Sequence, residues 1–270
     1  MGHRWSTIGH RAPRCGMGIE LAFRGSAGTG PTVVLVHGNS ASSAVWQGLL
    51  DGPFGQRFRC LAVDLPGHGA APRGDEYSML GHAAALAQFM SSADAEDAVV
   101  VGWSLGGHVV LHASASLPRA TGFVLMGTPP IATPESLSRG FLPNPAFGVG
   151  FQGEVGAEEA AAYAAAMLSP GSSVSPEVFV PDILATDPAA RTGLAASVAE
   201  GRVVDELAAV ANLGRPLLVL HGSEDQLVSL DYLRTEGLAV EVLDGVGHAV
   251  PVEAPERLGQ RLTEFVESYR

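Results

Sequence analysis

A chain of 270 residues, 46% apolar and 16% charged, has the material for one sizeable core, and its length fits a single large domain with an insertion. Its 28 Asp and Glu against 16 Lys and Arg leave a formal charge of −12, which argues against nucleic acid and anionic membranes as partners. The two cysteines, Cys15 and Cys60, lack the number and spacing of a disulfide framework or zinc knuckle. With no apolar run of about 20 residues and no signal-peptide apolar region, the expected location is the cytoplasm.

Residues 1–17, with Pro13 and Gly16, read as an irregular arm. From residue 31 onward, short apolar runs alternate with helical patterns, the sequence form of parallel strands joined by crossover helices. Strands are expected over 32–36, 59–63, 98–101, 122–126, 216–221 and 239–243. Helices are expected over 44–50, 77–91, 106–116, 227–235 and 255–269. The fold class is therefore α/β, with a doubly wound, mostly parallel sheet. The stretch 128–212 breaks the rhythm. It opens on a Pro- and Gly-rich passage and continues in alanine-rich helical pieces near 158–168, 176–185 and 188–199. Such a segment between two strands is expected to form a helical cap, dividing the core into 1–127 and 213–270.

The strongest chemical signal is Gly102-Trp103-Ser104-Leu105-Gly106, directly after an apolar strand and before a helical pattern. A Gly-x-Ser-x-Gly string in that context is a nucleophile elbow: the turn is too tight for bulky flanks, and the serine is pushed out at a helix N-terminus. A serine needs a base to take its proton and an acid to orient the base, in chain order Ser, acid, His. His248, in the Gly245-Val246-Gly247-His248 turn after a strand, is the candidate base. Asp225, in the loop after 216–220, is the candidate acid, with Glu224 the runner-up. The oxyanion of an acyl transfer needs donors aimed at it in advance, here the backbone N–H groups of Leu105 and Asn39. The Asn39 side chain either reaches substrate or caps the turn in His37-Gly38-Asn39-Ser40.

Other features carry less. His108 and His112 lie one helical turn apart, but no acid sits between them, so a packed or hydrogen-bonded role is expected rather than metal binding. His68, in Leu65-Pro66-Gly67-His68-Gly69, reads as structural. Tyr163 is the lone aromatic of the 158–168 helix, with a polar tip able to reach a ligand carbonyl.

From about residue 19 to the end, this constellation resembles the α/β-hydrolase superfamily. Within it, five strings resemble the cofactor-free α/β-hydrolase-type N-acyl-homoserine lactone lactonases: His37-Gly38-Asn39-Ser40, Asp64-Leu65-Pro66-Gly67-His68-Gly69, Tyr77-Ser78-Met79, the elbow extended to Gly107-His108, and Gly127-Thr128-Pro129-Pro130. The resemblance implies an α/β-hydrolase fold, catalytic Ser104 and His248, a carbonyl oxygen held at Asn39, and substrate contacts at Asn39, Trp103 and Tyr163. The loop acid departs from the pattern: glutamate there, Asp225 here. The expected activity is ring opening of N-acyl-homoserine lactones without metal or cofactor, with a small-molecule ester or lactone as the substrate partner. The alternatives are a general carboxylesterase and a non-catalytic small-ligand receptor on the same fold.

Overall fold

The computed structural model describes residues 21–74 and 76–269. The arm expected at 1–17, and Cys15 with it, lies outside the described residues. The strands are β1 (Phe23–Gly25), β2 (Thr32–Val36), β3 (Arg59–Val63), β4 (Val99–Trp103), β5 (Gly122–Met126), β6 (Leu217–Gly222) and β7 (Val240–Leu243). They form one sheet in the order β1-β3-β2-β4-β5-β6-β7. Only β1 is antiparallel to its neighbour; β2 to β7 pair in parallel. Along β2, Val33 and Leu35 enter one core cluster and Val34 and Val36 the other. Both faces are buried, which is why these strands read as unbroken apolar runs rather than alternating ones.

The crossovers are α1 (Gln47–Asp51) and α2 (Pro53–Arg57), α3 (Met79–Ser92), and α4 (Leu105–Ala113). Between β5 and β6 come α5 (Pro134–Gly140), a 3-10 segment (Pro145–Phe151), α6 (Ala157–Ala166), α7 (Val180–Ala185), α8 (Pro188–Ala199) and α9 (Glu206–Ala211). The chain then closes with α10 (Leu230–Thr235), α11 (Val250–Glu253) and α12 (Pro255–Ser268).

Several expected boundaries shift for local reasons. The 44–50 helix is a 3-10 turn, Ser43–Trp46, running into α1. The 77–91 helix starts at Met79, because Ser78 caps it by accepting the Gly81 N–H at 3.0 Å. The expected helix 176–185 breaks into a 3-10 turn, Pro176–Val178, and α7. The expected helix 227–235 begins only at Leu230, where Ser229 caps it by accepting the Tyr232 N–H at 3.1 Å. β1, α2, α5, α9 and α11 were not expected.

The insertion is sewn to the core by polar contacts. Ser42 Oγ donates to Asp182 Oδ2 at 2.6 Å, Tyr77 Oη to Asp187 Oδ2 at 2.7 Å, and the Met79 N–H to Ser197 Oγ at 3.1 Å. The Tyr77-Ser78-Met79 string thus holds α8. Buried Arg191 donates to the carbonyls of Gln152, Ile183 and Gly153, tying the insertion's own turns together.

Beneath β2 and β3, three buried histidines cluster. The His37 and His68 rings are 5.2 Å apart, and those of His68 and His82 6.3 Å. His37 Nε2 accepts the Leu65 N–H at 3.0 Å, so its proton sits on Nδ1 and is donated to the Gly38 carbonyl at 2.7 Å. His68 Nε2 and both ring nitrogens of His82 have no partner among the described residues. Burial above all holds the three down to about 4, 3 and 3. Their unfolded values lie near 6.5, so below about pH 6.5 the unfolded chain takes up protons that the folded one refuses, and stability falls with pH. Each histidine contributes at most about 1.4 kcal/mol per pH unit until pH approaches its folded value. Urea denaturation from pH 7.5 to 5 should show this decline, and His82→Leu should lessen its slope. A stability constant down to pH 5 would contradict this reading of the cluster.

Candidate active site

β4 runs straight into Ser104, which has φ +53° and ψ −120° and caps the N-terminus of α4. That conformation is uncommon for a residue with a Cβ and marks stored strain at the turn. The flanking positions must be glycine: a Cβ on Gly106 would lie 2.2 Å from the Val36 carbonyl oxygen, and one on Gly107 2.1 Å from Thr128 Oγ1. Ser104 is half-buried, and the Leu105 N–H is the first of the helix amides that lack an intrahelical acceptor.

Asp225 lies on the loop after β6, its side chain shut off from solvent. Oδ1 accepts the N–H groups of Leu227 and Val228 at 2.8 and 3.0 Å, and Oδ2 lies 2.8 Å from His248 Nδ1. Burial pushes this carboxyl upward, but His248, then His221 and the Leu227 N–H, outweigh it and hold it below the usual carboxylate range. An ionised carboxylate only accepts, so the neutral His248 ring carries its proton on Nδ1 and leaves Nε2 as a free base. The runner-up acid, Glu224, takes no such place; its backbone N–H donates to the Val246 carbonyl at 2.9 Å.

Trp103 is wholly buried, and its indole N–H donates to the His248 carbonyl at 2.8 Å. Its ring lies 5.7 Å from that of His248 and 6.2 Å from that of Phe179 in the insertion. This arrangement steadies the His248 turn.

Asn39 neither caps its own turn with its amide nor leaves it free: Nδ2 donates to the Gly150 carbonyl at 2.6 Å, 111 residues along the chain. Tyr163 is buried as well, and burial pushes its hydroxyl upward. A Cβ on Gly150 would lie 2.8 Å from both Asn39 Nδ2 and Tyr163 Oη, so the two polar tips converge on this glycine. Core loop and insertion meet there.

His108 and His112 face an acid after all. Buried Glu206, from α9, has both carboxylate oxygens 2.9 Å from His108 Nδ1, with His112 Nδ1 3.3 Å away. Among the described residues no three His, Cys, Asp or Glu side chains are grouped to hold a metal ion, and no helix is long and apolar enough to cross a membrane. Sequence reasoning missed Glu206, His221 (Nδ1 3.8 Å from Asp225 Oδ2) and the Gly150 carbonyl. Separations of 98 and 111 residues leave no local signal for the Glu206 and Gly150 contacts.

Residues 33–261 match the family described as alpha/beta hydrolase. The chain belongs to the alpha/beta hydrolase family. The hydrolase is 29% identical over 258 residues to a pimeloyl-[acyl-carrier protein] methyl ester esterase of Methylococcus capsulatus, covering 91% of this chain and 98% of that protein. Among solved structures, it is similar to the N-acyl homoserine lactonase AidH complexed with N-hexanoyl homoserine, at 30% identity and a TM-score of 0.87, covering 93% and 94% of the two chains. The esterase RhEst1 from a Rhodococcus species follows at 25% identity and a TM-score of 0.79, covering 93% and 96%. Some curated relatives match only locally: against an uncharacterized protein of Mycobacterium tuberculosis, 104 residues align at 38% identity, 30% of that protein's length. The hydrolase thus has the fold and general character of esterases and lactonases.

Proposed function

We propose that this chain is a serine hydrolase that opens the lactone ring of N-acyl homoserine lactones. The observation that carries the reading is the convergence of Asn39 and Tyr163 on Gly150 beside a Ser104 elbow and a His248–Asp225 pair 2.8 Å apart. Resemblance to AidH over 93% of the chain supports it.

In this reading His248 Nε2 takes the Ser104 proton as Oγ attacks the lactone carbonyl carbon. The oxyanion is met by the Leu105 and Asn39 N–H groups. Asp225 keeps the Nδ1 proton in place and offsets the charge of the imidazolium. Collapse breaks the ring C–O bond, and His248 returns the proton to the leaving alkoxide, giving an acyl-enzyme whose leaving hydroxyl is still attached. Water, deprotonated by the same base, then releases the N-acyl-homoserine. Residues 128–212 act as a cap over this site, where Tyr163 contacts substrate and the half-buried Phe141, Phe147 and Phe151 offer an apolar surface to the acyl tail. The Phe141 and Phe147 rings lie 4.6 Å apart and those of Phe147 and Phe151 5.3 Å, each pair tilted.

The second reading is a carboxylesterase without lactone preference, which the similarity to the pimeloyl methyl ester esterase over 258 residues favours. The same three residues would serve both. Rates on N-hexanoyl homoserine lactone and on methyl hexanoate separate them. The lactonase reading expects kcat/KM at least about tenfold higher for the lactone. A linear ester hydrolysed as fast or faster would favour the esterase.

A further inference from the structure

Glu206 sits where the insertion returns to the sheet, and its carboxylate accepts two N–H donors with a third ring nitrogen beside it. His108 Nδ1 approaches both oxygens at 2.9 Å, the Ile131 N–H donates to Oε2 at 2.8 Å, and His112 Nδ1 stands 3.3 Å from Oε1. The Val204 N–H donates to His112 Nε2 at 3.1 Å, so the His112 proton is on Nδ1, which donates to the His108 carbonyl at 2.9 Å while the ring stays beside the carboxylate. The Glu206 N–H in turn donates to the Ile131 carbonyl at 2.9 Å. Burial alone would push the carboxyl up, but the charge and hydrogen bond of His108, then His112, hold it down to about 2.

Ile131 marks where the chain leaves the core and Glu206 where it comes back. The exit strand is already pressed on the elbow, since Thr128 Oγ1 contacts the Ser104 and Met126 carbonyls, each at 3.0 Å. His108 and His112 belong to α4, the helix that Ser104 caps. Both ends of the insertion are therefore fastened to each other and to the nucleophile's helix through one side chain. An acceptor-only group satisfies both donors; with its oxygen turned to the Ile131 N–H, a glutamine would point its NH2 at His108 Nδ1.

Resting on the hydrolase reading above, we propose that Glu206 is a positioning residue: it seats the cap on the Ser104 helix and thereby fixes how Tyr163 and Gly150 stand over the elbow, which sets the acyl groups the site accepts. A small acyl group depends on Ser104, His248 and Asp225 alone. A long one depends also on where the cap is seated.

The test is Glu206→Gln, read by hydrogen–deuterium exchange and by two esters. Exchange should rise about tenfold in peptides from 132–205 and stay unchanged in β2 to β5. kcat/KM for p-nitrophenyl octanoate should fall about tenfold, mainly through KM, with p-nitrophenyl acetate held within about twofold. A uniform rise in exchange, no rise in the insertion, or an equal fall on both esters would overturn the proposal. Should Glu206→Gln not accumulate as folded protein, His108→Ala removes one donor and should give the same pattern at smaller size. A wild-type chain inactive on both esters would defeat the hydrolase reading, and the exchange result would still decide the seat.

Discussion

Replacing Ser104 by Ala is expected to lower kcat by about 10⁴-fold or more while leaving the fold intact. The hydroxyl is the only group lost, and alanine keeps the Cβ and the backbone conformation, so stability should change by less than about 0.5 kcal/mol. Ser104→Gly sharpens the distinction. At φ +53° and ψ −120° a glycine relieves the strain that a Cβ imposes, so this variant should be as inactive as the alanine one yet more stable by about 1 kcal/mol. Steady-state kinetics paired with thermal melting checks both. Substantial turnover in either variant would mean that another group, or water activated by His248, attacks the carbonyl.

Asp225→Asn should cost about 10⁴-fold in kcat with little loss of structure. The N–H groups of Leu227 and Val228, at 2.8 and 3.0 Å from Oδ1, fix the amide oxygen on their side. The NH2 would then face His248 Nδ1, two donors would meet, and the ring would move its proton to Nε2. In the proposed mechanism that nitrogen accepts the serine proton. The defect is therefore one of tautomer, and activity should recover in part at alkaline pH, where hydroxide can replace the missing base. A loss below about tenfold would show that His248 does not depend on Asp225 for its orientation.

The chemistry of this chain is written locally, and that explains what the sequence revealed. Gly102 to Gly107 is recognised from a contiguous string between strand and helix, and the close approaches of Gly106 to the Val36 backbone and of Gly107 to the Thr128 side chain are why those positions are glycine. The pairing of Asp225 with His248 could be anticipated because each follows an apolar strand, β6 or β7, on a short turn. The edge strand β1 was not, since its three residues are largely exposed and carry no apolar run. α5 does have a start signal, Thr133 accepting the Ser136 N–H at 3.1 Å with Pro134 following, but it sits in a passage whose Pro and Gly content reads as loop. The roles of Asn39 and of the His108 and His112 pair were hidden for a different reason. Their partners, Gly150 and Glu206, come from the insertion and are found only once that segment has folded back on the core.

The measurement that bears most directly on the central claim is mass spectrometry of N-hexanoyl homoserine lactone incubated near neutral pH with the purified protein, beside an identical reaction with Ser104→Ala. The wild-type chain is expected to add one water to the lactone, acidification to reverse the gain by closing the ring, and the variant to leave the lactone unchanged. An intact lactone in the wild-type reaction, while a simple linear ester is hydrolysed in parallel, would contradict the lactonase assignment.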